Sequence, residues 1–325
     1  MDILGISCFY HDAAACLLRD GVVVAAAEEE RFTRKKHDAD FPLHASRYCL
    51  EAGGIDAADL DLVVFYEKPL LKLERILAGY AATFPRSRGM FVRAMRTWFG
   101  DKLWIRGHIR SALGYDGELL FGEHHLSHAA SAYFPSPFND AAVLTADGVG
   151  EWASTTLGFG EGIDLELTHE IRYPHSLGLL YSAFTAYLGF EVNEGEYKVM
   201  GMAGYGQPRY VDRVLELIAL GEDGSFHLDM RRLTYHHAAR AFGRAFEELF
   251  GPPRHPEADL LPRHADIAAS IQLVIEEAML GLARRARGLS GSDNLCLAGG
   301  VALNVLANTC ILREAGIRSL WVQPA

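Results

Sequence analysis

ILGISCFYHDAAACLLRDGVVV, residues 3–24, is the stretch that decides the fold. Its apolar runs at residues 3–7 and 13–18 predict two strands, and Asp20-Gly21 predicts the tight turn of a hairpin. Both turn residues tolerate the positive φ that such a turn requires, and the β-branched residues 22–24 begin a third strand. The chain is therefore predicted to open with a β-meander.

A second opening of the same kind follows at residue 141. Residues 141–162, AAVLTADGVGEWASTTLGFGEG, give an apolar strand, an Asp-Gly turn and another strand rich in threonine and aromatic residues. Each opening is followed by a mixture of helical and strand patterns. We therefore predict an α/β fold with two similar domains in tandem, residues 1–140 and 141–325, the first with a helical insertion at about 68–115.

The remaining periodic segments fit this arrangement. Residues 59–66 and 118–121 predict strands, and a helix is predicted to start near His124. Further helices are predicted at about 178–189, 208–220 and 264–289, and NLCLAGGVALN predicts a strand, a glycine turn and a helix.

The composition is that of a globular protein that binds neither nucleic acid nor membrane. The chain has 325 residues, half of them hydrophobic, and a net charge of -11, which repels a phosphate backbone. One basic segment, residues 86–110, interleaves arginines with aromatic residues. It has two interpretations, an amphipathic helical insertion or a docking face for an anionic ligand or partner. We expect no membrane span and no signal peptide.

The five cysteines point to a reducing compartment. They are odd in number, lack C-x-x-C spacing and lie mostly within apolar runs, where a thiol behaves as a small hydrophobic group. We expect them to be reduced and the protein to be cytoplasmic.

Three residues form a candidate metal site. His124 and His128 are four residues apart at a predicted helix start, which places both imidazoles on one face of the helix. Asp147 follows the apolar strand that begins at residue 141, and strand ends are where α/β folds bind ligands. Two histidines and a carboxylate suit Fe(II) or Zn(II). The alternative is a pair of ordinary helix residues.

Several glycines form candidate anion-binding turns. Gly148 and Gly150 lie in the segment Asp147 to Gly150, which contains the predicted Asp-Gly turn and whose unshielded backbone N–H groups can approach a phosphate. Gly299 and Gly300 precede a helix, and Gly178 lies at another predicted helix start, so the helix N-termini favour an anion there. The alternative for each is a close packing turn.

Other residues are candidates for catalysis. His11 and Asp12 follow the first strand, and a histidine at this position can remove a hydroxyl proton near neutral pH. Lys36 belongs to a basic cluster that can hold a phosphate or carbamoyl oxygen, or is only a solvated face. Lys198 lies in residues 193–208, which predict either a polar loop at a cleft or an exposed loop with a local ion pair.

Six motifs, taken together and in order, are more specific than any one of them. This set resembles the NodU/CmcH family of O-carbamoyltransferases across essentially the whole chain. The motifs are ISCFYHDAAACLL, EEERFTRKKHD, EHHLSHAASAYFPSPF, LTADGVGEW, EYKVMGMAGYG and LAGGVALN.

The resemblance implies an actin-like ATPase (ribonuclease H-like) fold, related to the tRNA threonylcarbamoyl-transferring enzymes. In full-length family members this part is joined to a YrdC-like domain, which makes carbamoyl-adenylate from ATP and carbamoyl phosphate. The actin-like part then transfers the carbamoyl group to a hydroxyl of a small-molecule acceptor, often a sugar.

The resemblance also implies roles for individual residues. His124, His128 and Asp147 match the family's iron-binding positions, and His11 matches its suspected general base. LAGGVALN, which ends at Asn304, resembles the adenylate-contacting loop. The family's next motif, with another metal-binding aspartate, would fall after Ala325. We therefore expect a chain truncated at its C-terminus that lacks the YrdC-like domain and carries out only the transfer half.

Two other functions stay open from the sequence. The first is a sugar kinase-like ATPase, against which the His-x-x-x-His pair argues, because phosphoryl-transfer enzymes hold Mg²⁺ with oxygen ligands. The second is a non-catalytic fragment that binds nucleotide. The acceptor is not identified, and a homodimer is left open.

Overall fold

The computed structural model describes residues 1–323, apart from the side chain of Asp101. The elements of the first part of the chain are, in order, β1 (Asp2–Ser7), β2 (Ala14–Arg19), β3 (Val22–Glu28), α1 (Glu30–Thr33), α2 (Leu43–Gly53), β4 (Leu62–Phe65), α3 (Pro69–Thr83), α4 (Arg88–Thr97), α5 (Ile105–Leu113), β5 (Leu119–Phe121) and α6 (His124–Tyr133).

The later elements begin with a second meander. They are β6 (Asp140–Ala146), β7 (Ala153–Glu161), β8 (Asp164–Arg172), α7 (Leu177–Tyr187), α8 (Glu196–Ala203), α9 (Val211–Leu215), β9 (Ile218–Leu220), β10 (Phe226–Leu228), α10 (Arg244–Phe250), α11 (Pro262–Ser290), β11 (Asn294–Ala298), α12 (Val305–Glu314) and β12 (Ser319–Val322).

The chain divides into two compact units. The first unit comprises residues 1–77 and 91–127, and the second comprises residues 78–90 and the chain from His128 onward. This division passes through α6, N-terminal to the boundary predicted after residue 140. It also gives part of the helical insertion to the second unit.

The first unit is built on a five-stranded sheet with the order β3-β2-β1-β4-β5. The strands β1, β2 and β3 are antiparallel neighbours, whereas β4 and β5 are added in parallel. The turn between β2 and β3 has φ 50 at Asp20 and φ 81 at Gly21, as the hairpin prediction required. The predicted opening meander is therefore confirmed.

The second unit contains a sheet with the same layout. Its order is β12-β11-β6-β7-β8, with β6, β7 and β8 antiparallel and β11 and β12 added in parallel. Both sheets therefore consist of a three-stranded meander extended by two parallel strands on the side of its first strand. This repetition confirms the prediction of two similar α/β domains in tandem.

The core of the second unit is organised around the long helix α11. Pro262 occupies its first turn, where a missing backbone N–H is not needed, and Gly291 ends it with φ 71. The helix packs against β6, β7, α7, α8 and α12. Fully buried Ile271, Val274 and Met279 contribute its core-facing side chains.

Two segments differ from the sequence predictions. The helix predicted at 208–220 is wrong in its second half, because β9 pairs with β10 and Ile218 is buried against the core. The loop predicted at residues 193–208 is also wrong in part, because residues 196–203 form α8, whose Val199 and Met202 are buried beside α11. In both places burial of apolar side chains determined the local structure.

All five cysteines have free thiols, as predicted. Burial raises the pKa of Cys49 and of Cys296 to about 11, so the reactive thiolate is disfavoured at neutral pH. These thiols therefore act as small hydrophobic groups of the core.

A pair of neighbouring histidines lies in the second unit. The His236 and His237 rings are joined by a hydrogen bond of 2.9 Å between Nε2 and Nδ1. Burial, the neighbouring His237 and the charge of Arg86 lower the pKa of His236 to about 4. In the unfolded chain a histidine titrates near 6.5, so between these two values the unfolded state binds more protons.

We therefore expect the free energy of unfolding to be highest above about pH 6.5 and to fall as the pH drops toward about 4. Chemical denaturation across this range measures the slope. The variant His236→Gln should show a shallower slope, whereas His169→Gln, at an exposed position, serves as the control. An unchanged slope in His236→Gln would show that His236 does not cause the acid sensitivity.

Candidate functional site

The three predicted metal-binding residues lie on α6 and directly after β6. The helix begins at His124 and is continuous through the unit division, so His124 and His128 are one turn apart on the same helix. In the second unit, Nε2 of His128 lies 3.7 Å from Oδ2 of Asp147. His128 and Asp147 therefore approach each other within the second unit, and His124 precedes His128 by one turn on α6.

This donor set fits a transition metal. It offers two imidazole nitrogens and one carboxylate oxygen, the combination that Fe(II) and Zn(II) accept with further positions open to substrate. His124 is buried, and His128 and Asp147 are partly exposed. Metal binding itself stays a prediction.

Asp147 lies where the loops of the second unit converge. Its Oδ1 accepts a hydrogen bond of 3.2 Å from the Gly300 N–H, in the turn after β11. Ser176 Oγ donates to the Gly148 carbonyl at 2.6 Å and accepts from Leu179 N–H, which caps α7. The turn after β11 thus contacts the Asp147 carboxylate, and the start of α7 contacts the backbone that follows β6.

At two of the predicted positions glycine is required, because neighbouring backbone atoms lie too close for a Cβ. A Cβ at Gly178 would lie 2.8 Å from the Asp147 carbonyl oxygen, and one at Gly299 would lie 2.4 Å from the Ala146 carbonyl oxygen. Gly299 also has φ 91, which other residues rarely adopt. Both positions are therefore close packing turns, the alternative that the sequence left open, and anion binding there stays a prediction.

Two other predicted nucleotide contacts have structural partners. Gly150 donates its N–H to the Ala153 carbonyl at 2.9 Å, an ordinary turn bond. The Asn304 side chain caps α12 through Ala307 N–H and exchanges two hydrogen bonds of 2.9 Å with the amide of Gln272. Asn304 therefore holds the glycine turn in place through the core.

The predicted catalytic pair of the first unit is joined by a third residue. His11 Nδ1 lies 2.7 Å from Oδ2 of Asp12, and His37 Nδ1 lies 2.9 Å from Oδ1 of the same carboxylate. Burial acts to raise the pKa of Asp12, but the hydrogen bonds of His37 and His11 outweigh it and lower the pKa. Asp12 is therefore an ionised carboxylate between two imidazoles.

Comparison with known proteins assigns the chain to a family. The model described as "Carbamoyltransferase N-terminus" matches residues 2–325. The chain belongs to this carbamoyltransferase family. The resemblance to NodU/CmcH proteins found in the sequence is thereby confirmed.

Relatives of this family member include longer proteins. An uncharacterised protein of Synechocystis, sll1178, is 53% identical over 99% of this chain and 54% of its own length. The nodulation protein NolNO of Sinorhizobium fredii is 33% identical over 98% of this chain and 44% of its own length. The chain thus spans about half the length of these curated relatives.

Solved structures resemble the chain only distantly. HypF of T. kodakarensis has a TM-score of 0.48 and 14% identity, covering all of this chain and 45% of that one. The ROK hexokinase of Thermus thermophilus has a TM-score of 0.40 and 13% identity, covering 99% of this chain and 93% of that one.

One buried carboxylate beside the family's histidine motif was not predicted. Glu67, at the end of β4, accepts from Lys72 Nζ at 2.5 Å, and its Oε2 lies 3.7 Å from Nδ1 of His124. Burial acts to raise the pKa of Glu67, but His124 and Lys72 lower it to about 2. In the sequence, the only indication of this residue was its position directly after the strand predicted at residues 59–66.

The two remaining predicted catalytic residues are lysines. Lys36 has an exposed side chain, and the neighbouring Lys35 pairs with Asp38 and Asp40. Lys198 is exposed on α8, with its Nζ 5.7 Å from the centroid of the Tyr197 ring. The roles of both lysines stay predictions. Among the described residues, no helix is long and apolar enough to cross a membrane.

The variant Gly299→Ala should lower the free energy of unfolding by roughly 1–3 kcal/mol, because a methyl group would collide with the Ala146 carbonyl and the backbone would be strained. The variant Gly288→Ala in α11, where a Cβ meets no atom within 4 Å, should be stabilised by about 0.5–1 kcal/mol. Denaturant melts of both variants measure the difference. Equal stability of the two would contradict the close approach.

Proposed function

We propose that this chain performs the transfer half of an O-carbamoyltransferase reaction. The donor is carbamoyl-adenylate, and the acceptor is a hydroxyl of a sugar-containing small molecule. Family membership supports the transferred group. The observation that supports the site most strongly is the Asp147 carboxylate, which contacts the exposed glycine turn and a histidine at once.

The glycine turns are suited to the adenylate. At Gly148 and Gly299 no side chain of the residue itself shields the backbone, so the N–H groups could approach a phosphate closely. The Gly300 N–H would have to exchange its bond to Asp147 for one to the phosphate. Gly178 keeps the start of α7 against Asp147 and so adds a helix N-terminus to the same edge. These donors would orient the leaving AMP.

The chemistry requires one base. The acceptor oxygen forms a bond with the carbamoyl carbon, the bond from that carbon to the phosphate oxygen breaks, and AMP leaves. We assign the acceptor proton to His11, whose Nδ1 is hydrogen-bonded to Asp12, so that Nε2 faces away from this carboxylate.

His124, His128 and Asp147 would hold Fe(II) or Zn(II). When bound, such a metal supplies positive charge that stabilises negative charge developing on the transferring group. Oε2 of Glu67 lies 3.7 Å from Nδ1 of His124, and a carboxylate there can help to orient that imidazole.

The donor must come from a reaction that spends ATP to activate carbamoyl phosphate. The sequence resemblance implies a YrdC-like domain for this step, and the longer relatives have room for one. Lys36 and Lys198 are proposed contacts for anionic groups of the substrates. We also propose that the protein works in the cytoplasm, where its free thiols persist.

Measuring AMP release from synthetic carbamoyl-adenylate, with methyl glucoside as a simple acceptor, tests the proposal. We expect release above the buffer rate, and a decrease of roughly two to four orders of magnitude in His11→Asn, the usual effect of losing an acid-base group. Circular dichroism and metal content, both unchanged in the variant, are the controls.

Two results would favour the other functions. Formation of ADP from ATP and a sugar would identify a kinase. Tight binding of AMP with release no faster than in buffer would identify a non-catalytic nucleotide-binding fragment. Wild-type release in His11→Asn would show that the base lies elsewhere.

A further inference from the structure

The His11 imidazole is one end of a three-residue chain. Asp12 presents one carboxylate oxygen to His11 Nδ1 at 2.7 Å and the other to His37 Nδ1 at 2.9 Å. We propose that His37 is a positioning residue that acts through Asp12 to hold His11 in the tautomer with the proton on Nδ1. Nε2 of His11 then faces the acceptor hydroxyl as the proton-accepting atom. This inference rests on His11 being the base of the proposed function.

Charge determines the direction of both hydrogen bonds. An ionised carboxylate can only accept, so each imidazole must donate from Nδ1. Because the proton of a neutral imidazole resides on one nitrogen, Nε2 is left as an acceptor in both rings. The charge of Asp12 therefore determines the positions of both protons, as long as its carboxylate is held between the two rings. Holding the carboxylate there is the role that we propose for His37.

The environment of His37 fits this tautomer independently. Its Nε2 atom is buried and has no hydrogen-bond partner in the part of the chain that the structure describes. A proton there would be a buried donor without an acceptor, which costs more than an unsatisfied lone pair. The surroundings of Nε2 thus also favour the proton on Nδ1, facing Asp12.

The backbone fixes His37 as well. The His37 N–H donates to Oε2 of Glu30 at 3.0 Å, and His37 has a left-handed φ of 54. Asp12 is left-handed too, with φ 49. Such conformations in residues other than glycine are strained and persist only where the surrounding contacts enforce them. The left-handed backbone brings both side chains into the hydrogen-bonded chain.

A metal ion is the competing explanation for this cluster. Donor atoms of Asp12, Glu30 and His37 lie within 4.8 Å of one another. A metal bound at Nδ1 of His37 would displace the proton that this nitrogen gives to Asp12. The hydrogen bond and the metal ion therefore predict different states of Nδ1 of His37, protonated in the first case and metal-bound in the second. One measurement distinguishes them.

Two variants isolate the hydrogen bond from the backbone. Asparagine tolerates the left-handed conformation, and its Nδ2 amide can replace the Nδ1 donor of the imidazole. Glycine adopts the same backbone freely but offers no donor. His37→Asn should therefore keep the function of His37, and His37→Gly should lose it without added strain.

The first measurement is the tautomer of His11, read from imidazole ¹⁵N chemical shifts of the full 325-residue chain in EDTA at about pH 8, where a histidine is neutral. We expect the proton on Nδ1 in the wild type and in His37→Asn, and a mixture of tautomers in His37→Gly. A proton on Nε2 of His11 in the wild type, or an unchanged tautomer in His37→Gly, would overturn the inference.

The second measurement is AMP release from carbamoyl-adenylate. We expect a decrease of roughly 10–100-fold in His37→Gly, in the range seen when an orienting partner is lost, and near wild-type release in His37→Asn. The third measurement is the addition of Zn²⁺ to the wild type, followed through the imidazole signals. If Zn²⁺ shifts the His37 signals before those of His124 and His128, the cluster is a metal site and the inference is wrong.

Failure of the inference differs from failure of the proposed function. If His11→Asn releases AMP at the wild-type rate, His11 is not the base, whatever its tautomer. If the tautomer of His11 does not respond to His37→Gly although His11→Asn is inactive, the base is correct and His37 does not position it.

Discussion

The arrangement of the second unit depends on the carboxylate of Asp147. One of its oxygens accepts the N–H of Gly300, and the other lies 3.7 Å from His128 Nε2. A single side chain at the end of β6 therefore connects the glycine turn after β11 with the histidine helix α6. The contact with Gly300 requires that the strands β6 and β11 be parallel neighbours, because their ends must meet at the same edge of the sheet.

The surrounding sequence makes this convergence possible in two ways. Glycines occupy the positions where a Cβ would collide with the backbone of the β6 end, as at Gly178 and Gly299. Asn304 holds the turn from behind, through the cap of α12 and the amide of Gln272. Recognition of a phosphate would then be left to backbone groups, with polar side chains used for support.

The fold was predictable because its signals are local. The Asp20-Gly21 turn and the apolar runs beside it predict a meander without knowledge of the rest of the chain, and the repetition at residue 141 predicts a second. The α8 and β9 segments were not predictable, because burial against α11 and pairing with β10 determined their structure. Those contacts depend on residues far away in the sequence.

In the candidate site, too, some residues were predictable from local sequence and others were not. His124 and His128 share a helix turn, so the sequence alone placed them together, and Asp147 followed from its position at a strand end. His37 was missed because its partner Asp12 is 25 residues away. The neighbouring lysines were interpreted as the functional residues of that segment. Glu67 was missed because one carboxylate after a strand is common, and only its buried contacts with Lys72 and His124 distinguish it.

Metal content is the most direct measurement of the claim that Asp147 and the α6 histidines act as one site. The chain is loaded with Fe(II) or Zn(II), desalted and analysed, alongside His128→Ala and Asp147→Asn, with His169→Ala as the control at an exposed position. We expect about one metal per chain in the wild type and the control. The two site variants should retain less metal after desalting, because loss of a ligand lowers the metal affinity at least roughly tenfold. Equal metal content in all four proteins would contradict the account.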